Sequence, residues 1–314
     1  MMARTGRDFR GGPRESSALL WQPSPMRLHL VDGTFELFRA HASARPPHRS
    51  PEGKELKATL GVVQSLFALL KDPEEAPTHV AVAFDNPIAS FRNRLFPGYK
   101  SDEGVDPALK AQFDDVEHAV AAAGFVVWKM VDFEADDALA SAAVRFSGEV
   151  EQVRVLTPDK DLFQVLDEDK VVQVDRIRRR VLTEATLKAR WSIAPESIPD
   201  FLALVGDTAD GIPGLEGWGQ RSASAVLAVF PHLELIPRLA NQWTIRPRRA
   251  EELAATLDAR RQDALLYRTL ATLRLDAPIA GSVDEMKWRG VSSHFPDWCK
   301  QVGVEFAPPA PSEP

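Results

Sequence analysis

The sequence predicts an α/β fold, with an open and mostly parallel sheet flanked by helices, followed by a helical second region. Two observations lead to this fold class. Short apolar runs alternate with segments of helical periodicity over roughly the first 184 residues, and beyond that point the strand pattern fades. Alternating strands and helices are typical of parallel sheets, whose right-handed crossovers place helices on both faces.

Four short apolar runs predict buried parallel strands, because helices cover both faces of such a sheet. These runs are residues 28–31, 79–84, 125–130 and 153–157. Between them, apolar residues recur at helical spacing and predict amphipathic helices. The predicted helices are residues 56–70, 107–124 and 134–146.

The pattern divides the chain into an α/β core at 26–184, a helical region at 185–280 and a C-terminal extension at 281–314. Residues 1–25 are polar and carry several Arg, and the chain closes with APPAPSEP. Neither segment can build a core, so both are predicted to be disordered. Met26 directly precedes the first strand and is an alternative start.

The composition limits the kinds of site that the chain can form. A single cysteine, Cys299, excludes an internal disulfide framework and suits a reducing cytoplasm. The seven histidines lie far apart without an HExxH motif, so a bound metal would need oxygen ligands. No apolar run approaches the roughly 18 residues of a membrane span. We therefore expect a cytoplasmic protein without membrane association.

The formal net charge of −7 disfavours a nucleic-acid partner. This argument weakens if the acidic residues gather at a metal site, where bound cations offset their charge. Basic clusters such as the one at 176–180 could then face a phosphate backbone, although a solvated surface explains each cluster equally well.

Acidic residues follow every predicted strand. Asp32, Asp85 and Glu134 come after the first three strands, and Asp159 and Asp161 come after the fourth. The carboxyl ends of parallel strands meet at one edge of the sheet, where the active sites of α/β folds lie. Each acid alone is equally typical of a turn or a helix N-cap. Their repetition after all four strands predicts one common site.

Two further acidic motifs extend this set. The sequence EADD at 134–137 places Glu134 and Asp137 on one helical face and Asp136 on another. Asp207 and Asp210 lie in the Gly-rich GDTADGIPG, where they are equally typical of N-caps. Carboxylates in one cleft repel until cations neutralise them, and Mg²⁺ prefers oxygen ligands. Two such ions can activate water and stabilise the leaving oxygen in phosphodiester hydrolysis.

Five segments carry a family resemblance. In chain order they are LVDGTFELFRA (30–40), FDNPIASFRNRLFPGYK (84–100), FEADDALA (133–140), TPDKDLFQVL (157–166) and GDTADGIPGLEGWGQRSASAVL (206–227). With these motifs the chain resembles the 5′ nucleases, namely bacterial flap endonucleases and the 5′ to 3′ exonuclease domain of DNA polymerase I. The resemblance implies a PIN-like core with a helical arch, a helix-hairpin-helix-type second region, and cleavage of DNA near 5′ ends or 5′ flaps in replication or repair.

The resemblance also implies two Mg²⁺ ions, for which Mn²⁺ can substitute. The residues that would hold the first ion are Asp32, Asp85, Glu134 and Asp136. Those that would hold the second are Asp159, Asp161, Asp207 and Asp210. Asp137 would lie behind the ligands without touching an ion.

The arch of the family carries Lys and Arg beside the cut phosphate, and the matching residues here are Arg92 and Lys100, although each alone is also typical of an ordinary surface cation. Glu103 stands where relatives tend to carry Arg, which leaves the arch contacts open. The resemblance assigns further DNA contacts to Phe38, Arg39, Tyr99, Lys160, Gly214, Gly217, Gly219 and Arg221.

The glycines among these residues match the family's helix-turn-helix variant, where K⁺ is expected. Phe38 replaces an aromatic hydroxyl, so that base stacking can survive without a polar contact. Trp218 replaces a smaller aliphatic residue and is interpreted as packing.

Two other functions are compatible with parts of the sequence. A phosphatase like haloacid dehalogenase needs an Asp nucleophile two positions before Asp32, where Leu30 stands, so this class is disfavoured. A catalytically idle DNA-binding protein of the same fold is the remaining alternative. The expected partners are DNA with a 5′ flap or 5′ end, RNA primers and a DNA polymerase acting in trans, with the chain itself a monomer.

Overall fold

A six-stranded sheet forms the centre of the α/β core in the computed structural model, which describes residues 26–311. The strands are β1 (Arg27–Asp32), β2 (His79–Asp85), β3 (Val126–Met130), β4 (Gln152–Leu156), β5 (Val171–Asp175) and β6 (Arg180–Leu182). Their order across the sheet is β3-β2-β1-β4-β5-β6. All pairs are parallel except β5 with the edge strand β6. The predicted mostly parallel sheet is confirmed.

The four predicted strands correspond to β1 to β4 and agree within one residue at each end. The sequence pattern missed β5 and β6. In β5 the polar Gln173 interrupts the apolar run, yet its side chain is fully buried. Its amide nitrogen donates to the carbonyl oxygens of Thr157 at 2.8 Å and Asp159 at 2.6 Å. These contacts satisfy the amide nitrogen, whereas the amide oxygen is buried without a hydrogen-bond partner among the described residues. The backbone of Gln173 still pairs in the sheet, so a strand that looks interrupted in the sequence is continuous.

Helices cover both faces of the sheet. Those of the α/β core are α1 (Gly33–Ala42), α2 (Lys57–Leu70), α3 (Phe91–Leu95), α4 (Pro107–Lys110), α5 (Phe113–Ala122) and α6 (Ala135–Phe146). Apolar residues of α1, α2 and α5 pack on one face, and those of α6 pack on the other. This layered arrangement buries the sheet on both sides, as the apolar strands require.

The predicted helix at 107–124 is two helices, α4 and α5, separated at Gln112. The side-chain oxygen of Gln112 accepts backbone N–H groups of Ala58 at 3.0 Å and Thr59 at 3.1 Å. Gln112 thus satisfies donors in the first turn of α2, which lack partners within their own helix. The segment assigned to the arch, between β2 and α5, consists of the short helices α3 and α4 joined by turns at 96–106.

The helical region has its own apolar core. Its helices are α7 (Glu184–Trp191), α8 (Ile198–Val205), α9 (Gln220–Leu227), α10 (Ala250–Ala259) and α11 (Arg261–Ala271). Trp218 lies in this core and donates its indole N–H to the carbonyl oxygen of Leu253 at 3.2 Å. The tryptophan that departs from the family pattern is therefore a packing residue.

The chain after α11 returns to the α/β core and ends with α12 (Phe295–Val302). Trp288 donates its indole N–H to the carbonyl oxygen of Ala123 at 3.0 Å, and the ring of Phe295 lies edge-on to Phe67, 5.7 Å between centroids. The ends predicted to be disordered are residues 1–25 and the tail 307–314; residues 1–25 and 312–314 lie outside the described residues. Within 26–311, no helix is both long and apolar enough to cross a bilayer.

Candidate active site

The sheet brings the acidic residues that follow its strands to one edge. Asp32 and Asp85 are the last residues of β1 and β2, neighbouring parallel strands, and Asp159 comes three residues after β4 on the other side of β1. Glu134 caps the N-terminus of α6, four residues after β3. The carboxyl ends of four strands therefore meet here, as the sequence pattern predicts.

A cavity of about 500 Å³ opens at this edge. Acids from the core and from the helical region line it together with two lysines and Phe38. The predicted site residues in its wall are Asp32, Phe38, Asp85, Lys100, Asp136, Asp159, Lys160 and Asp210. The predicted ligands Glu134, Asp161 and Asp207 are buried beneath this wall.

Hydrogen bonds hold the two strand-end acids in fixed orientations. Asp32 accepts the backbone N–H of Phe35 at 2.8 Å and the hydroxyl of Thr157 at 2.9 Å. Asp85 accepts the backbone N–H of Ala135 at 2.6 Å. The first turn of α6 therefore orients Asp85, while α1 orients Asp32, and both carboxylates face the cavity.

Three acids form a compact group, of which Asp210 lines the cavity and Asp161 and Asp207 are buried beneath its wall. Carboxylate oxygens of Asp161, Asp207 and Asp210 all lie within 4.8 Å of one another, and all three residues are buried. Asp159 accepts the backbone N–H of Asp161 at 3.0 Å, which places it beside this group. Lys160 contacts the carboxylate of Asp207.

Lys100 joins the acids of the core to those of the helical region. Its ammonium lies 2.8 Å from an oxygen of Glu134 and 3.0 Å from one of Asp210. Glu134 also accepts the hydroxyls of Ser90 at 2.6 Å and Tyr99 at 3.2 Å. Three donors, Lys100, Ser90 and Tyr99, therefore surround the carboxylate of Glu134.

The pKa values of the acids at the cavity shift in opposite directions, because burial raises all of them and nearby cations outweigh burial at Glu134. Burial raises the pKa of Asp32 to about 7 and that of Asp85 to about 6, and neighbouring carboxylates add to both shifts. Burial alone would also raise the pKa of Glu134, but Lys100 and Arg92 outweigh it and lower this pKa to about 2. Asp32 and Asp85 therefore keep their protons to higher pH than Glu134 does, because burial prevails at both aspartates, whereas Lys100 and Arg92 compensate the charge of Glu134.

Burial also acts on three further acids, of which Asp136 and Asp210 line the cavity and Asp161 lies beneath its wall. Burial, together with the charge of Asp159, raises the pKa of Asp136, Asp161 and Asp210 above the usual range of an aspartate. Carboxylates held this close share protons in the absence of cations. The cavity is thus built for positive charge.

The structure differs from the sequence expectation at Arg92 and Tyr99. Arg92 was expected beside the cut phosphate, yet it is 1% exposed and lies behind Glu134, bound to Asp137. Tyr99 was expected to contact DNA, yet it is 5% exposed and its hydroxyl donates to Glu134. Both side chains point into the protein because they support Glu134 from behind, which a motif match does not reveal.

The remaining predicted DNA contacts lie at different places. Phe38 is 37% exposed at the cavity, whereas Arg39 faces a separate cleft on the other side of α1, with Arg176 and Arg179. Arg221 is exposed in the first turn of α9. The glycines lie in the turn between α8 and α9, where Gly214 and Gly217 have φ of +69° and +82°, and Gly219 caps α9.

Two family models match this chain along most of its length. The 5′-3′ exonuclease N-terminal resolvase-like domain matches residues 27–192, and the 5′-3′ exonuclease C-terminal SAM fold matches residues 193–294. The chain belongs to the 5′-3′ exonuclease family. The first match covers the α/β core and α7 of this exonuclease, and the second covers the helices α8 to α11.

Curated relatives of this exonuclease agree with the match. A 5′-3′ exonuclease of Aquifex aeolicus (strain VF5) is 30% identical over 261 residues, which cover 83% of this chain and 86% of the relative. DNA polymerase I of Bacillus caldotenax is 32% identical over 270 residues, which cover 84% of this chain and 30% of the polymerase. The chain therefore spans less than a third of that polymerase, and it is a 5′ nuclease like the stand-alone relative.

Solved structures share the fold. The structure of T5 5′-exonuclease with bound zinc matches with a TM-score of 0.61 and 20% identity, over 78% of this chain and 89% of that chain. The catalytic core of Rad2 in complex with DNA substrate matches with a TM-score of 0.58 and 14% identity, over 89% of each chain. At these identities the similarity concerns the fold.

Three polar residues of the exonuclease site were missed by the sequence reasoning. Ser90 donates to Glu134, Thr157 donates to Asp32, and the hydroxyl of Thr34 accepts the backbone N–H of Asp85 at 2.8 Å. Each lies inside one of the five matched motifs, which is the signal that could have found them. Ser90 and Thr157 fix the direction of a carboxylate, and Thr34 holds the backbone at Asp85. A count of acidic residues reveals neither role.

Proposed function

We propose that this exonuclease hydrolyses phosphodiester bonds of DNA at 5′ ends and 5′ flaps, with two divalent cations held by the carboxylates of the cavity. The observation that carries the proposal is the convergence of acids from four strand ends and from the helical region on a single cavity. Related folds give support, because T5 5′-exonuclease has been solved with divalent metal ions and Rad2 with a DNA substrate.

The residues of the cavity fit divalent cations. Oxygen atoms of Asp161, Asp207 and Asp210 lie within 4.8 Å of one another, a spacing that one ion can bridge. One oxygen of Asp161 is buried without a hydrogen-bond partner among the described residues. All the proposed ligands are carboxylates, and Mg²⁺ and Mn²⁺ prefer such oxygen ligands.

The family resemblance divides the carboxylates into two groups. Asp32, Asp85, Glu134 and Asp136 would hold one cation, and Asp159, Asp161, Asp207 and Asp210 would hold the other. When bound, a pair of cations activates a water molecule and stabilises the charge on the leaving oxygen. The assignment to Mg²⁺ rests on the all-oxygen donor set.

The chain's own residues position the substrate. Lys100 and Lys160 line the cavity and offer N–H donors to the oxygens of the scissile phosphate. Phe38, which is 37% exposed at the same cavity, offers an aromatic face to a terminal base. Thr157 and the N–H of Phe35 keep Asp32 from rotating while its charge acts on the site.

A cleavage assay tests the proposal. A 5′-labelled flap duplex is incubated with the protein in Mg²⁺, in Mn²⁺ or in EDTA. We expect cleavage in both metals and none in EDTA. Asp85→Ala and Asp159→Ala should each reduce the rate at least about 100-fold, since even residues that only support metal ligands cost about 10- to 100-fold. Asp284→Asn is the matched control, because Asp284 is an exposed acid paired only with Arg289 among the described residues.

Other outcomes have a clear meaning. DNA binding without cleavage in either metal favours the idle DNA-binding protein. Wild-type cleavage by Asp85→Ala contradicts the metal assignment. The size of the labelled product separates release of the flap from removal of single nucleotides.

Several finer features belong to the same proposal. A K⁺ ion in the turn between α8 and α9 would help that turn to bind a phosphate, so replacing K⁺ by Na⁺ at equal ionic strength should weaken DNA binding.

RNA primers are a second expected substrate, tested with an RNA 5′ segment in the flap. A DNA polymerase in trans should leave the single-turnover rate unchanged, because the chain supplies every group named above. Sedimentation of the protein with and without DNA tests the expected monomer.

A further inference from the structure

Arg92 is a buried cation whose hydrogen-bonding capacity is used up inside the protein. Its guanidinium bonds both oxygens of Asp137 at 2.7 and 2.8 Å, and the carbonyl oxygens of Leu270 at 2.8 Å and Thr272 at 3.0 Å. A fifth contact joins it to Glu134 at 3.1 Å. A guanidinium has five N–H donors, of which four make these hydrogen bonds, while the nitrogen Nη1 also lies against the carboxylate of Glu134 as an ion pair. No donor remains for a phosphate.

Asp137 completes the connection. It is fully buried, and besides Arg92 it accepts the backbone N–H groups of Arg274 at 2.8 Å and Glu134 at 3.0 Å. Asp137 therefore holds the backbone of Glu134, and Arg92 contacts its carboxylate. Ser90, which caps the helix α3 that carries Arg92, bonds the same carboxylate at 2.6 Å.

Arg92 therefore ties together three parts of the chain that are distant in sequence. It lies on α3, its carboxylate partners lie at the start of α6, and its carbonyl partners lie at the end of α11 in the helical region. The start of α6 also carries Asp136, whose side chain lines the cavity. Movement of this helix end would displace two of the acids in the first proposed cation group.

We infer that Arg92 is a positioning residue, which fixes Glu134 and Asp136 for cation binding and couples them to the end of α11, and that it does not contact DNA. This inference rests on the proposed function. Lysine cannot replace arginine here, because its ammonium lacks the planar fork that matches the two oxygens of Asp137.

Arg92→Lys tests the inference. The affinity for Mn²⁺ is measured from the EPR signal of the free ion, and the affinity for a flap duplex is measured by fluorescence anisotropy in EDTA, where no cleavage occurs. We expect the Kd for Mn²⁺ to rise about 10- to 100-fold, as for other residues that support metal ligands. The Kd for DNA should stay within about twofold of wild type, because a buried side chain makes no contribution to the phosphate charge term.

Arg94→Lys is the matched control. Arg94 lies two residues later on the same helix and makes the same forked pair, with Asp132 at 2.6 and 3.1 Å, but both side chains are exposed. Its replacement should change neither Kd. If Arg92→Lys does not fold, the isosteric Asp137→Asn removes the same charge pair and should show the same pattern.

The outcomes separate the hypotheses. Weaker Mn²⁺ binding with unchanged DNA binding supports the positioning role. A Kd for DNA that rises in EDTA while Mn²⁺ binding stays at the wild-type level would show a direct DNA contact and overturn the inference. Wild-type Kd values for both Mn²⁺ and DNA would overturn it as well. If the wild-type protein itself binds no Mn²⁺, the proposed function fails before the role of Arg92 is at issue.

Discussion

The buried carboxylate of Glu75 offers a sharp test of how this fold is held together away from the active site. Glu75 lies in the connection between α2 and β2, where it accepts two hydrogen bonds from Arg154 of β4, at 2.7 and 2.8 Å. Its second partner is His29 of β1, at 3.1 Å. All three residues are buried. Glu75→Gln removes the only negative charge from this group and leaves the shape nearly unchanged.

The size of the expected loss of stability follows from the pKa of Glu75. Burial would raise this pKa, but the bonds to His29 and Arg154 lower it from 4.5 to about 2. A shift of this size corresponds to about 3 kcal/mol, and screening at the partly wetted carboxylate reduces it to ~2–3 kcal/mol. The substitution also leaves the charge of Arg154 buried without its partner, so we expect a total loss of about 3–5 kcal/mol in the free energy of unfolding.

Urea unfolding followed by circular dichroism measures this loss. The lowered pKa of Glu75 means that its contribution is complete above about pH 4.5 and disappears as the pH falls toward 2. The difference between wild type and Glu75→Gln should therefore shrink by about 1 kcal/mol between pH 7 and pH 4. Glu74→Gln, at the exposed neighbouring position, should change stability by less than about 0.5 kcal/mol. A loss below about 1 kcal/mol at pH 7, or a difference that grows in acid, would refute the reasoning.

Two further predictions concern the cavity and the glycine turn. The raised pKa values of Asp32, about 7, and Asp85, about 6, mean that the metal-free folded state binds protons which the unfolded state releases. The free energy of unfolding in EDTA should therefore fall as the pH rises from about 4 to 7. Mg²⁺ should raise the Tm more at pH 7.5 than at pH 5.5, and an equal rise in Tm at both pH values would contradict this prediction. Gly214→Ala should cost more than about 2 kcal/mol, because φ is +69° and a Cβ would lie 2.5 Å from the backbone nitrogen of Gly206. Gly219→Ala should cost under about 0.5 kcal/mol, because φ at Gly219 is −143° and the space around it is open. Thermal unfolding of both variants measures these losses of stability, and an equal loss in Gly214→Ala and Gly219→Ala would contradict the prediction.

Most of the α/β fold could be predicted from the sequence, because buried parallel strands and amphipathic helices carry periodic patterns that are local. The strands β1 to β4 illustrate this, and the acids at their ends predict the edge where the cavity lies. β5 could not be predicted, since Gln173 reads as polar until its partners Thr157 and Asp159 are known.

The limits of prediction from the sequence are clearest in the segment FRNRLFPGYK, which contains Arg92 and Lys100. Both are cations in one matched motif, and the sequence gives no reason to separate them. In the structure Lys100 lines the cavity, whereas Arg92 is buried behind it. Tyr99, next to Lys100, turns inward to Glu134.

The sequence by itself determined the class of fold, the family and the set of carboxylates, because these depend on residue type and on spacing along the chain. Only the tertiary structure decided which acids face the cavity, which lie beneath it and which cation supports them. The physical reason is distance along the chain: the carbonyl of Leu270, which orients Arg92, lies 178 residues away. The direction of a side chain is set by such partners, and no local pattern contains them.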